Sequence, residues 1–489
     1  MRAAAILRGT VLVHRYLGIG VGVLMALWCL SGIVMIYRPY PRLAETERLA
    51  ALAPLSWRNC CTVDPPEEGA AADAPIQSFE LEMLGPVPVL RLLHSDGRFE
   101  MVDLASGRRV GAVEQSLTWS AAAHFGASRG LSLKDASHAT LDHDQWTVAL
   151  ARADRPFHKI TFDDPQRTVA YFSSRTGKLV QVTTRSQRFW GWLGAVPHWL
   201  YPAMLRDHPA AWSQVVIWTS LAGSLLAVTG VYLGFARMRP RGAHGAWASP
   251  YRGIMYWHHI PGIVFGAFVL MWVVSGLLSM NPWGLMEGGD LRADRRALSG
   301  ATPTLQQIRS LIEAVPRNSP SGVVSIRSAP LDGELYAIST SAEGARMRFA
   351  FDGSAAPLTD ADIDRAAQRL VGTANPVKWA RLAAEDAYHY SVGDDAASLP
   401  AVRVESAAPP GVLYYLDAVT GELIDKADSG GRAYRWWHSG LHRLDFAPAL
   451  RTFFARTALM LPLLLGAAAV CILGAYLGIR RVSMSGPRL

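Results

Sequence analysis

His14-Arg-Tyr-Leu-Gly18-Ile-Gly-Val-Gly22, continuing through Trp28 to Ser31-Gly32, is an apolar stretch that begins with a histidine. It returns as His258-His-Ile-Pro-Gly262-Ile-Val-Phe-Gly266, through Trp272 to Ser275-Gly276, each pair 244 residues apart. At about 100° per residue, positions 14, 18, 22, 28 and 32 share one helix face. Each copy therefore presents a histidine, small residues and an aromatic to the same neighbour.

The 244-residue register extends beyond this stretch. Arg8-Gly9 matches Arg252-Gly253, Asp142 matches Asp386, Pro156 matches Pro400 and Tyr171 matches Tyr415. Thr176-Gly177 matches Thr420-Gly421, Trp192 matches Trp436 and His198 matches His442. Gly230, Tyr232, Leu233 and Gly234 match Gly474, Tyr476, Leu477 and Gly478. One register over so long a span predicts a tandem duplication. Each half reads as helix, exported domain, helix, and the shared orientation predicts a parallel repeat about an axis along the membrane normal.

Half of the chain is apolar, and residues 16–37 carry no charge, enough for one crossing at about 20 residues. That run exceeds the usual signal-peptide core and no A-x-A-like site follows, so a retained anchor is expected. The boundaries are then 1–37 for leader and first crossing, 38–208 for exported domain one and 209–236 for the second crossing. A cytoplasmic link follows at 237–252, the third crossing at 253–286, exported domain two at 287–455, and the fourth crossing with its tail at 456–489. The fold class is membrane α plus exported α+β: a four-transmembrane-helix bundle with two exported domains. Within the first of these, Val87 to Leu93, Trp146 to Ala151 and Thr168 to Phe172 alternate like strands, and Ser106-Gly107 and Thr176-Gly177 read as hairpin turns.

Charge placement gives the orientation. Every acidic residue lies between Arg38 and His208 or from Glu287 to Asp445. Arg2, Arg8, Arg15, Arg237, Arg239, Arg241, Arg252, Arg480, Arg481 and Arg488 stand where no acid is present. Basic short segments stay inside, which places both termini in the cytoplasm. The basic balance is thus an orientation signal, and nucleic acid is not expected as a partner; the lipid bilayer is. Four cysteines are too few for a disulfide framework. Cys29 and Cys471 read as packing residues, and Cys60-Cys61 as a vicinal disulfide or metal contact at most.

Histidine at membrane depth is costly without a partner, so it marks a functional hypothesis. Four keep the register: His14 with His258 at the cytoplasmic ends of crossings one and three, and His198 with His442 just before crossings two and four. A pseudo-twofold axis would bring each pair face to face, as two imidazoles must be to hold a six-coordinate haem iron. Gly18, Gly22, Gly262 and Gly266 would make room for the macrocycle. Two haem b groups, one near each surface, would form an electron path. Helix packing through Gly-xxx-Gly and interfacial anchoring are the competing explanations of the same residues. His259 and His438 fall out of register and rank as substitutes or partners. His124, His138, His143, His158 and His389 do not repeat, and solvated surface is expected for them. No P-loop is present, and Gly18-x-Gly20-x-Gly22 lacks the strand and acid of a dinucleotide site. The electron donor would then be a quinol or another redox protein. A transporter is the weaker reading, because no crossing carries an acid and none looks broken.

At these residues the chain resembles the PepSY-associated transmembrane family, in its long form with two exported domains. The resemblance rests on His14-Arg-Tyr-Leu-Gly18 and His258-His-Ile-Pro-Gly262, on Ser-Gly-Leu-Leu-Ser-Met-Asn-Pro-Trp at 275–283, and on Gly-Ala-Val-Pro-His-Trp-Leu-Tyr-Pro at 194–202. Trp-Trp-His-Ser-Gly-Leu-His-Arg-Leu-Asp-Phe at 436–446 agrees, as does the strand-Thr-Gly-strand ending of each exported domain. It implies an inner-membrane protein of Gram-negative bacteria with two PepSY-like periplasmic domains. Relatives include haem-bearing reductases of ferric siderophores, which implies a di-haem b-type reductase with a ferric chelate as acceptor. Arg185, Arg188, Arg206, Arg432, Arg435 and Arg443 would flank the acceptor, or else snorkel to headgroups. The alternative is a non-catalytic PepSY membrane protein that binds peptides or restrains a protease in the periplasm.

Overall fold

The structure is a computed structural model that describes residues 2–56, 75–241, 246–300, 302–372, 377–392, 396–406 and 411–484. Cys60-Cys61 lies outside the described residues. The chain forms two compact units, one from residues 1–41, 186–287 and 430–489, the other from 42–185 and 288–429.

The first unit is helical. α1 (Arg2–Gly20) and α2 (Gly22–Tyr37) are bent by 54° at Val21. The expectation of unbroken crossings fails here. Gly18, Gly20 and Gly22 cluster around the bend, and glycine is among the poorest helix formers, so the segment gives way there. Short helices α3 (Arg185–Leu193) and α4 (Ala195–His198) precede α5 (Pro209–Ala236). α6 (Ile254–Ser279) and α7 (Phe453–Ser483) complete the bundle. Three helices, α5, α6 and α7, are each long and apolar enough to cross a membrane, and α1 with α2 makes a fourth span if the bent pair counts as one. Met25, Cys29, Leu226, Val269, Trp272, Val273 and Leu464 fill the centre. Cys29 is a free thiol buried there, with Cys471 packed on the same cluster. His14 and His258 mark one end of this bundle, the proximal end, and His198 and His442 the other, distal end.

The second unit is built of sheets. β1 (Ile76–Leu84), β2 (Val87–His94), β3 (Phe99–Asp103) and β4 (Arg109–Val110) form a meander. β5 (Ser137–Leu141), β6 (Phe157–Thr161), β7 (Val169–Ser173) and β8 (Leu179–Thr183) form a four-stranded antiparallel sheet. β9 (Val323–Ser328), β10 (Tyr336–Ser341) and β11 (Arg346–Ala350) come from the later segment. β9 pairs antiparallel with β1, Leu81 opposite Ile326, so both segments share one seven-stranded sheet. The helix Leu305–Asn318 covers this sheet through Ile308, Leu311, Ile312 and Val315, all essentially buried. β12 (Val377–Leu382), β13 (Ala401–Ser406), β14 (Leu413–Asp417) and β15 (Leu423–Ala427) form a second four-stranded sheet. Phe157, Val169 and Leu179 open β6, β7 and β8, and Ala401, Leu413 and Leu423 open β13, β14 and β15 at the same 244-residue separation.

The Thr-Gly turns fold as expected and are closely packed. Gly177 has φ +69°, and a Cβ there would strike the Leu84 side chain; Gly421 has φ +78° and faces Leu331 and Leu358 in the same way. Only glycine suits a left-handed turn packed so closely. Trp146 to Ala151 is a turn, not the strand its alternation predicts. Asp144 captures it: its carboxylate accepts from Trp146 N at 2.9 Å, and its carbonyl from Val148 N at 2.9 Å.

Candidate functional site

The four register-keeping histidines meet in two pairs. His14 on α1 faces His258 on α6 with ring centres 6.3 Å apart and planes at 33°. His198, ending α4, faces His442 at 6.0 Å and 67°. All four lie in the helical unit. Along α6, His258 and Trp272 are separated by about 21 Å at 1.5 Å per residue, which sets the spacing of the two pairs.

Each ring is held in the same way. His14 Nδ1 donates to Leu226 O at 3.1 Å, and His258 Nδ1 to Val470 O at 3.2 Å, 244 residues further on. His198 Nδ1 donates to Trp28 O at 3.1 Å, and His442 Nδ1 to Trp272 O at 3.2 Å. A carbonyl oxygen can only accept, so Nδ1 carries the proton and Nε2 keeps its lone pair. No Nε2 of the four has a hydrogen-bond partner among the described residues. Ser31 and Ser275, both fully buried, place their hydroxyls 3.3 and 3.1 Å from the Nδ1 atoms of His198 and His442.

Glycines make room for the rings themselves. A Cβ on Gly230 would lie 2.6 Å from His14 Cε1, and one on Gly474 would lie 2.8 Å from His258 Cε1. At Gly32 and Gly276 the corresponding distance to His198 and His442 is 3.4 Å. Gly230→Ala and Gly474→Ala should therefore displace an imidazole and empty the proximal pair of any metal. Gly32→Ala and Gly276→Ala should be tolerated. Metal bound per chain, measured on purified variants, separates the two classes. A Cβ on Gly18, Gly22, Gly262 or Gly266 would lie 3.9, 3.7, 3.7 and 3.3 Å from Leu226, Ala475, Val470 and Val231, and would touch none of the four rings.

Both pairs stand at the separation that two imidazoles sharing one iron would need. Bonds of about 2 Å from iron to each nitrogen, plus the half-width of each ring, put two axial imidazole centres roughly 6 Å apart. The donor set is chemically right, since both Nε2 atoms hold free lone pairs and both Nδ1–H groups are anchored on carbonyls. Trp28 Nε1 is buried without an acceptor, whereas its register partner Trp272 donates to His442 O at 3.1 Å. That indole is a free donor beside the distal pair, suited to an oxygen of a bound group. Among the described residues no cluster of three or more His, Cys, Asp or Glu could hold a bare metal ion.

The off-register histidines serve other ends. His259 is fully engaged, Nε2 to Gly234 O at 2.9 Å and Nδ1 to Ser249 Oγ at 2.8 Å, so it ties the link to the bundle. His438 stacks on His442 at 5.1 Å and 26°, its Nδ1 donating to Ser275 O at 3.2 Å. His158 and His389 are buried, against the expectation of solvated surface. Their Nε2 atoms donate to Val113 O and Ser398 O, at 3.0 and 2.9 Å, which makes burial tolerable. His138 bonds His158 at 3.0 Å; partial burial and that neighbouring ring hold it below its ordinary pKa. Gly126-Ala-Ser128-Arg-Gly130 spells G-x-S-x-G. It closes a helix instead of joining a strand to one, and Ser128 Oγ donates to Phe125 O at 2.8 Å, so it is no nucleophile elbow.

Of the arginines expected near the distal end, Arg435 is buried and donates to Asp445 O at 2.7 Å. Arg206 stacks between Tyr201 and Trp212, 5.1 and 4.9 Å from their ring centres. Arg185 is exposed and Arg188, Arg432 and Arg443 half-buried.

The family described as PepSY-associated TM region matches residues 11–481. A search of curated proteins finds no match.

Proposed function

The chain belongs to the PepSY-associated TM region family, and on that premise we propose that it is a di-haem b-type membrane reductase. It arose by tandem duplication and sits in the bacterial inner membrane. Both termini are cytoplasmic, and segments 38–208 and 287–455 carry two PepSY-like periplasmic domains. His14 and His258 would hold one haem, and His198 and His442 the other. When bound, haem supplies a one-electron carrier at each site. The chain's residues do the rest. Backbone carbonyls of Leu226, Val470, Trp28 and Trp272 fix each imidazole and its tautomer, and the apolar side chains between the pairs exclude water. Electrons enter from a quinol or a redox protein at the proximal end and leave at the distal end to a ferric chelate.

The observation that carries this reading is the doubled arrangement itself: two facing imidazole pairs, 6.3 and 6.0 Å between ring centres, each with Nδ1 spent and Nε2 open. Helix packing alone asks for neither the facing rings nor the free lone pairs. The test is a visible spectrum of the purified protein. A red preparation whose Soret band shifts on reduction, and shifts back on adding ferric citrate, is expected. A colourless preparation would sink the proposal and favour a peptide-binding PepSY protein.

A further inference from the structure

The two halves part company at the distal pair. In the first half Gly194 breaks the chain between α3 and α4, with φ −104° and ψ −94°. A Cβ there would lie 2.9 Å from Val34 and 3.2 Å from Trp190 O, so no larger residue fits. In the second half His438 occupies the matching position, and the segment Tyr434–Gly440 winds as a π-helix instead of breaking. Such widened turns cost stability and gather at functional sites. This one carries three rings in series. His442 stacks on His438 at 5.1 Å, and His438 lies 4.9 Å from Tyr434, which is 42% exposed. The series therefore runs from the buried pair to the surface. Arg443 lies close enough to act electrostatically on both Tyr434 and His438, and it has no ion pair among the described residues. Among the described residues the first half has no ring stacked on His198 in this way: Trp190, matching Tyr434, packs edge-on to Phe189, and Gly194 has no ring.

We infer that His438 and Tyr434 form the single electron outlet of the distal site, and that an anionic ferric chelate docks beside Tyr434 against Arg443. The inference rests on the proposed function and names where its acceptor binds. One electron leaves the reduced distal site and converts ferric to ferrous iron in the chelate; no bond in the protein is made or broken. Ser275 O is a positioning contact, because it holds the His438 ring flat against His442.

Two readouts test this on the full-length protein. The first is stopped-flow reoxidation of the dithionite-reduced protein by ferric citrate. His438→Leu and Tyr434→Leu should each slow it at least about tenfold, with reduced spectra of wild-type intensity, and Trp190→Leu should match wild type. The second needs no bound haem: redox-inert gallium citrate should protect Tyr434 from nitration by tetranitromethane, and Arg443→Ala should weaken that protection about tenfold in chelate concentration. Unchanged reoxidation in both ring variants, equal slowing by Trp190→Leu, or no gallium protection overturns the outlet and leaves the haem assignment standing. A colourless wild type overturns the proposed function and the outlet with it.

Discussion

His14→Ala, His258→Ala, His198→Ala and His442→Ala should each halve the haem content, from about two to about one per chain, and each should spare the other site. The geometry makes the loss complete within a pair. Each surviving imidazole has its Nδ1 fixed on a helix carbonyl 3.1–3.2 Å away, so it cannot swing across to supply the missing ligand. Its neighbours cannot substitute. Both nitrogens of His259 are engaged, and His438 lies on the face of the His442 ring, not opposite His198. The two sites stand about 21 Å apart along α6, too far to share a disturbance. His14→Ala combined with His198→Ala should therefore give a colourless protein. Pyridine haemochromogen assays against protein mass provide the count; an unchanged ratio in all four single variants is incompatible with the assignment.

Glu82→Ala should destabilise the sheet unit by about 3–5 kcal/mol, because it strands buried positive charge. Glu82 on β1 is 0% exposed and accepts from Arg48 at 2.7 Å and Arg91 at 2.8 Å, with Arg91 also buried. Arg91 in turn donates to Thr176 O at 2.7 Å, so the same ion cluster ties the seven-stranded sheet to the β7–β8 turn. Burial pushes the Glu82 carboxyl up, but Arg91, Arg48 and Lys178 outweigh it and hold the group at about 2. A carboxyl depressed in the fold stabilises it above the unfolded value, about 4.3, and loses that contribution as pH falls toward 2. Wild type and Glu82→Gln should thus differ most at neutral pH and converge between pH 4 and 2. Thermal unfolding of the full chain should show a fall of roughly 10 °C for Glu82→Ala at pH 7. Equal midpoints for the two chains would remove the cluster from the account.

Much of the helical unit was legible because the sequence spells the same residues twice, 244 positions apart. A histidine alone on an apolar face is ambiguous; the same histidine 244 residues later, with its Trp and Ser-Gly, marks two pairs that the fold brings together. The anchoring carbonyls were not legible, since backbone atoms leave no trace in side-chain spelling, although the matched Gly230 and Gly474 marked where the rings would press. Glycines 18, 22, 262 and 266 do not press on the rings: a Cβ at any of them would meet an apolar side chain of another helix. The bend at Val21 escaped notice because glycine clusters serve packing and kinking alike. The pairing of β1 with β9 could not be read at all. Alternation reports which face of a strand is buried, never which distant strand lies beside it.

That last contact dictates a timetable for biosynthesis. Leu81 leaves the ribosome some 240 residues ahead of Ile326, which at 5–20 residues per second is a wait of about 10–50 s. Throughout that interval one margin of β1 has its amides and carbonyls unclaimed, the condition under which nascent chains stick to one another. A chaperone that shields residues 76–84 is the kind of help this protein calls for, and overproduction faster than such help arrives should yield aggregates nucleated there.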